Sequence, residues 1–280
     1  MALRLLMRDR RGPRAEAEGP TFGTPFDLNL VGVLTLADKE IRRFLKVPAQ
    51  TLLAPLVNAS LFLAVFAFAL GRADRTVGDL PYLAFLAPGL VMMSVIQNAF
   101  ANTSSSLVIA KIQGNIVDYL MPPLSPGELL VGFVAGGVAR GLLVALCTGV
   151  LLPFLLPLGE IHWPLALLYL LLASVGLATA GVLAGLWADK FDQLAAVTNF
   201  AVVPLSFLSG TFYSVAVLPE PLALLAHLDP FFYMIDGFRY ALTGHADGAI
   251  WIGVPALVLV DAGLWLWALH LLRSGWKLRA

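Results

Sequence analysis

Residues 213–239 read YSVAVLPEPLALLAHLDPFFYMIDGFR. Whether this stretch crosses a membrane decides the span count of the whole chain. It is apolar enough to enter hydrocarbon, yet Pro219, Pro221 and Pro230 interrupt it, and Glu220, Asp229, Asp236 and Arg239 charge it. A proline inside a helix removes a hydrogen bond and clashes with the preceding turn, which argues against one continuous span. The spacing predicts two short helices instead. The first starts at Pro219 and Pro221 and runs to Leu228; Asp229-Pro230 makes the corner; the second runs from Phe231 to Leu242. Such a pair dips into the outer leaflet and returns, a re-entrant hairpin over 217–242. Backbone at membrane depth needs cover from protein or a water-filled cavity, so neighbouring spans are expected to wrap it. Its charges are expected at the wet edge. Pro219, Glu220, Asp229, Pro230, Asp236 and Arg239 form a candidate outer gate.

Composition supports the membrane reading. Of 280 residues, 59% are hydrophobic and only 13% are charged, against about 25% charged in ordinary soluble domains. Several runs approach the ~20 residues of helix that match a ~30 Å hydrocarbon slab. The expected fold is all-α, a polytopic membrane protein. The net charge is zero, so total charge says nothing about partners, and no nucleic-acid binding is expected. With Cys147 as the single cysteine, an intrachain disulfide and a cysteine-cluster metal site are excluded.

Outward from the hairpin, six spans are predicted, five or seven if the hairpin is misread: about 50–71, 82–108, 129–153, 164–188, 194–213 and 249–272. The opening MALRLLMRDRRGPR lacks the order of a signal peptide, and residues 1–27 read as a mobile basic cytoplasmic tail. Residues 28–47 form an amphipathic helix. Leu34, Ala37, Ile41, Phe44 and Leu45 make its apolar face, with Asp38, Lys39, Glu40, Arg42, Arg43 and Lys46 opposite. It should lie in the interface, its Lys39, Arg42, Arg43 and Lys46 near lipid phosphates. The remainder, 48–280, reads as one six-span transmembrane domain that includes the hairpin. Positive charge places both termini in the cytoplasm. Lys39, Arg42, Arg43, Lys46, Lys111, Lys190, Arg273, Lys277 and Arg279 then lie inside, and only Arg72, Arg75 and Arg239 outside.

The second span carries Gln97, Asn98, Asn102, Thr103, Ser104, Ser105 and Ser106, a face that avoids lipid. Gly132/Gly136 and Gly137/Gly141 on the third span and Gly181/Gly185 on the fourth predict close helix approach. Ser125-Pro126 followed by Glu128 marks a helix start. Arg140 and Asp261 fall near the middle of their spans. Two readings stand: an intramembrane ion pair, or separate satisfaction by water or by the polar face of the second span. There is no GxxxxGK[ST] loop, GxGxxG, HExxH or GxSxG, and no metal or catalytic constellation. The energy source is therefore a gradient or a partner protein. A membrane-embedded lipid enzyme would lack a recognisable nucleophile.

Three stretches resemble one family. FLSGTFYSVAVLPEPLALLAHLDPFFYMIDGFRYAL over 207–242 resembles the signature region of type-2 ABC transporter permeases, with Asp229 where that family commonly has Asn. KEIRRFLKVPAQTLLAPLV over 39–57 is similar to its amphipathic helix and first span, and YLMPPLSPGELLVG to its cytoplasmic loop between spans two and three. The resemblance implies one half of an exporter in the bacterial inner membrane. A second permease chain would pair with it, and two copies of a separate ABC ATPase would bind ATP and Mg²⁺ beneath. Lys111, Gln113, Asn115, Asp118 and Tyr119 would then dock the ATPase. Polysaccharides, lipid-linked glycans and amphipathic drugs are the cargo classes implied. The alternative is a secondary transporter that uses Arg140 and Asp261 as its coupling pair. The aromatics Phe207, Phe212, Tyr213, Phe231, Phe232 and Tyr233 fit either a sugar-stacking surface or an interfacial belt.

Overall fold

The computed structural model describes residues 29–70, 76–78, 80–155 and 161–277. The basic tail, the start of the amphipathic helix at Leu28, and Arg72, Arg75 and Arg279 lie outside the described residues. Helix α1 (Leu30–Leu45) is followed by a π-helical turn (Ala49–Leu53) that runs into α2 (Ala54–Leu70). Two-residue strands β1 (Thr76–Val77) and β2 (Leu80–Pro81) pair antiparallel before α3 (Tyr82–Ile112). A short α4 (Val117–Leu120) leads to α5 (Pro126–Gly149), and α6 (Trp163–Trp187) follows. The next span is composite: α7 (Phe191–Val197), a π-helical turn (Thr198–Val202) and α8 (Val203–Leu208). Then come α9 (Glu220–Leu228), α10 (Pro230–Thr243) and α11 (Ile250–Ser274).

Six of these segments are long and apolar enough to cross a membrane: Ala49–Phe68, Tyr82–Ile112, Pro126–Phe154, Trp163–Trp187, Phe191–Leu208 and Ile250–Ser274. The protein is all-α and polytopic, as the hydropathy pattern predicts. Span two runs four residues past its predicted end at 108. Span five stops at Leu208, and residues 209–213 form a turn that includes Gly210 with φ 75°.

Helix α3 is the most enclosed span, and α5, α6 and α10 pack around it. Glycines set these approaches. A Cβ on Gly137 would meet Ala178 of α6 and Thr103 of α3; one on Gly181 would strike Thr103 and the Phe100 carbonyl. The other pair on α5, Gly132 and Gly136, faces Leu36 and Glu40 of α1. The two GxxxG pairs of one span therefore serve different neighbours. At its start α5 carries a capping box: the Glu128 N–H donates to Ser125 Oγ, and the Ser125 N–H to Glu128 Oε2. The Asn29 N–H donates to the second oxygen of the same carboxylate, which ties the start of α1 to the start of α5.

That docking divides the predicted apolar face of α1, with Phe44 inward and Leu34 and Leu45 outward. Val33, Leu36, Glu40 and Phe44 point inward, whereas Leu34 is 59% exposed and Leu45 is also outward. The bare backbone of Gly132 and Gly136 attracts the row through Leu36 and Glu40, and this contact turns part of the apolar face outward.

Candidate functional site

The hairpin forms as its prolines predict. Pro219 precedes α9, and Asp229 ends α9 and caps α10 by accepting from the Phe231 N–H at 3.0 Å. Its other oxygen accepts from Ser209 Oγ at 2.7 Å, which fixes the corner to the end of α8. Helix α10 then lies among α3, α6 and α11, with Gly237 pressed on the ring of Tyr169. That packing supplies the cover a re-entrant element needs.

The expectation of four charges at the wet edge is corrected. Glu220 is exposed, but Asp229, Asp236 and Arg239 are buried, Arg239 to 1% exposure. Arg239 donates to the carbonyls of Phe85 at 3.1 Å and Gly210 at 2.6 Å, lies 3.8 Å from the Phe85 ring centroid, and sits 3.6 Å from Asp236. Asp236 accepts the Asp247 and Gly248 N–H groups, each at 2.9 Å. Asp247 in turn accepts from Ser214 Oγ and the Val215 N–H. A buried charge persists where it is paired and hydrogen-bonded. These residues therefore lock the hairpin to α3 and to the turn after α8.

At the opposite end of α3, the candidate docking residues divide. Gln113, Asn115 and Asp118 are exposed. Lys111 is not free: its ammonium donates to the carbonyls of Leu186 and Ala188, capping the C-terminus of α6, and lies 3.5 Å from Asp189. Tyr119 is buried against Phe133, and Lys39 lies 3.7 Å from its ring centroid. Beside the polar three, Ile112, Val117, Leu120 and Met121 are exposed, Met121 to 76%. Asp189 also accepts from Lys277 at 2.7 Å, and that bond holds its carboxyl below the usual carboxylate range.

Between these ends runs a polar seam. Glu40, 0% exposed, accepts from Ser106 Oγ at 2.7 Å and from Arg43 at 3.0 Å. Arg43 also donates to the Asn102 carbonyl at 2.7 Å and reaches Ser105. Thus Arg43, expected at lipid phosphates, turns with Glu40 toward α3; Arg42 stays outside and pairs with Asp38. About a turn further along α3, Arg140 donates to Asn98 Oδ1 at 2.8 Å. Asp261 has no hydrogen-bond partner on either oxygen. Arg140 is therefore satisfied by the polar face of the second span, and no Arg140–Asp261 ion pair forms among the described residues.

Asn98 also lines a groove of about 370 Å³ between α2, α3 and α8. Gln50, Asn58, Ser94 and Gln97 face it beside Phe62, Leu90 and Phe207. Phe207 stacks on Phe212 at its rim with centroids 4.9 Å apart. The first and fifth spans that flank this groove are among the least covered in the chain.

Comparison with known proteins gives three findings. Residues 32–243 match the family described as ABC-2 type transporter. The chain is 36% identical over 250 residues to Inner membrane transport permease YadH of Escherichia coli strain K12, which covers 89% of this chain and 98% of that protein. It is 28% identical over 223 residues to Nodulation protein J of Rhizobium leguminosarum bv. viciae, covering 77% and 84% of the two chains.

Proposed function

Because the chain belongs to the ABC-2 type transporter family, as a multi-pass permease of the inner membrane, we propose that it is one half of an ATP-driven exporter. In this reading two copies face each other over two ABC ATPase subunits, which bind ATP and Mg²⁺. The cargo is a polysaccharide, a lipid-linked glycan or an amphipathic drug-like molecule.

One observation carries the proposal. The groove lined by Gln50, Asn58, Ser94, Gln97 and Asn98 opens between spans that a single chain leaves largely uncovered. Polar side chains at membrane depth mark a path or a protein contact. A second copy set against spans one and five would close the groove into such a path. The exposed Gln113, Asn115 and Asp118, with their apolar rim, are the surface offered to the ATPase. The Lys39–Tyr119 contact and the Glu40–Ser106 bond connect that surface through α1 to the polar stretch of α3. Movement of the docked ATPase thereby reaches the groove. The hairpin held by Arg239 closes the outer end.

The test is co-expression with the ABC ATPase partner and reconstitution in proteoliposomes. ATP hydrolysis should rise with a lipid-linked glycan. Replacing Asn58 and Gln97 together by leucine should reduce ATP-dependent cargo movement about tenfold or more while the complex still co-purifies, as expected when polar contacts worth over 1.4 kcal/mol are lost along the path. Cargo movement driven by a proton gradient with no ATPase subunit would overturn the proposal.

A further inference from the structure

Asp261 lies near the middle of α11, 7% exposed, with neither carboxyl oxygen hydrogen-bonded. It rests directly on Gly176 of α6, where any Cβ would collide with its Oδ1. The cleft it faces, about 350 Å³ between α6 and α11, is lined by Leu168, Leu171, Leu172, Val175, Val258 and Trp265 among others, and the Trp265 indole N–H makes no hydrogen bond to either Asp261 oxygen. An ionised carboxylate is acceptor-only. What α6 presents at a bare glycine is helical backbone whose N–H groups are already spent within the helix and whose carbonyls are acceptors as well. Nothing on that wall donates.

The elements packed on α11 are α6, α10 and α5, and their charged and titratable groups are engaged elsewhere. On α6 the hydroxyl of Tyr169 donates to the Ile250 carbonyl. On α10, Asp236 and Arg239 face each other, while Tyr233 meets Phe232 edge to face and Tyr240 stacks on His162. On α5, Glu128 caps its own helix, Arg140 is on Asn98 and Cys147 is directed to the Leu52 carbonyl. On α11 itself, His270 and Arg273 are exposed near the C-terminal end. An isolated ion in such a site is far costlier than its neutral form. We propose that Asp261 is held as the neutral carboxylic acid in the α6–α11 cleft, an intramembrane proton-binding site reactive toward apolar carbodiimides. The neutral acid leaves no charge in the cleft without a counter-charge or donor within reach. This holds whatever cargo the protein carries.

The reaction is balanced without a co-reactant. The carboxyl oxygen bonds the central carbon of the carbodiimide while the acid proton passes to one nitrogen. Migration of the acyl group from oxygen to nitrogen then leaves a stable N-acylurea, with no leaving group. A charged carboxylate brings no proton, and a carboxyl in water is reached equally by a hydrophilic carbodiimide.

The experiment uses the full chain in membranes, treated with dicyclohexylcarbodiimide or with a water-soluble carbodiimide, and peptide mass spectrometry to locate the adduct. Modification of Asp261 by the apolar reagent alone, declining as pH rises and lost in Asp261→Asn, is expected. Thermal unfolding gives the independent reading. Unfolding would release the proton that the folded state holds, so wild-type stability should fall relative to Asp261→Asn as pH rises above the unfolded carboxyl's value of about 3.9. The variant, an isostere of the neutral acid, should match wild type at the acid end and melt a few degrees higher at the alkaline end. A wild-type-to-variant offset that does not change with pH overturns the proposal, whether or not the reagent arrives. So does equal labelling by the water-soluble reagent, or failure of Asp261→Asn to assemble.

Discussion

Glu40 offers the sharpest test of how the interfacial helix is held. Its carboxylate is fully buried and accepts from Ser106 of α3 and Arg43 of its own helix, while Arg43 continues to Asn102. Glu40→Ala removes the acceptor and leaves the guanidinium, whose side chain is 28% exposed, without its counter-charge. Breaking one side of a buried pair costs about 3–5 kcal/mol. For a chain of this size each kcal/mol moves the midpoint by about 2–4 °C, so a fall of roughly 6–20 °C is expected. Arg43→Ala alone should cost as much, about 3–5 kcal/mol, because it leaves the fully buried Glu40 carboxylate without its counter-charge even though Ser106 still donates to it. The double substitution removes both charges together, and its loss should fall short of the sum by about 2 kcal/mol. Scanning fluorimetry in detergent on the four proteins measures the cycle. Additive losses, or a Glu40→Ala midpoint within about 2 °C of wild type, would refute the claim that this pair anchors α1.

Four further outcomes are expected. Gly237→Ala forces a methyl into the Tyr169 ring and should cost about 1–3 kcal/mol by overpacking, seen as a lower midpoint. Arg239→Lys cannot reach the Phe85 and Gly210 carbonyls while covering the Phe85 ring, and the lost charged hydrogen bond should cost about 1.5–3 kcal/mol in the same assay. Asp118→Ala with Met121→Ser should cut recovery of the ATPase on co-purification with the midpoint unchanged, whereas Tyr119→Ala, which empties a packed site on Phe133, should lower the midpoint first. Lys277 depresses the Asp189 carboxyl, so its contribution is full above the unfolded value of about 3.9 and is lost as pH falls through the lower folded value. Wild type and Asp189→Asn should therefore converge in stability as the medium is acidified.

The spans and the hairpin were legible because proline, apolar length and charge act locally. Single prolines sit inside α3 at Pro88 and α11 at Pro255, but Pro219, Pro221 and Pro230 crowd within twelve residues and break the stretch, and the capping box at Ser125 and Glu128 is complete within four residues. Facing was not legible. On a soluble helix the apolar side points to protein, but in a bilayer lipid also accepts apolar side chains, so Leu34 and Leu45 could face outward and leave the inner row to Glu40. Only the glycines of α5, about a hundred residues away, decide between the two. The partner of Arg140 was equally hidden: Asn98 and Asp261 are both plausible from spacing, and the choice depends on how α3 and α11 sit around α5. Arg239 looked like a wet-edge cation because its acceptors, the backbone carbonyls of Phe85 and Gly210, leave no mark in the sequence.

Helix α3 has a mechanical consequence. Its 31 residues make a single rod of roughly 46 Å, well beyond the ~30 Å of hydrocarbon. Near one end the Phe85 carbonyl is gripped by Arg239; at the other, Lys111 grips the end of α6. About two thirds of the way along, Thr103 bonds the Ala178 carbonyl at 2.7 Å beside Gly181, where α3 and α6 touch backbone to backbone. A beam held there behaves as a lever with unequal arms, roughly 27 Å to Phe85 and roughly 12 Å to Lys111. Tilting it by about 5° swings the outer end roughly 2 Å and the cytoplasmic end roughly 1 Å the other way, so a small displacement of the cytoplasmic loop is doubled at the outer hairpin without a chain of side-chain rearrangements between them.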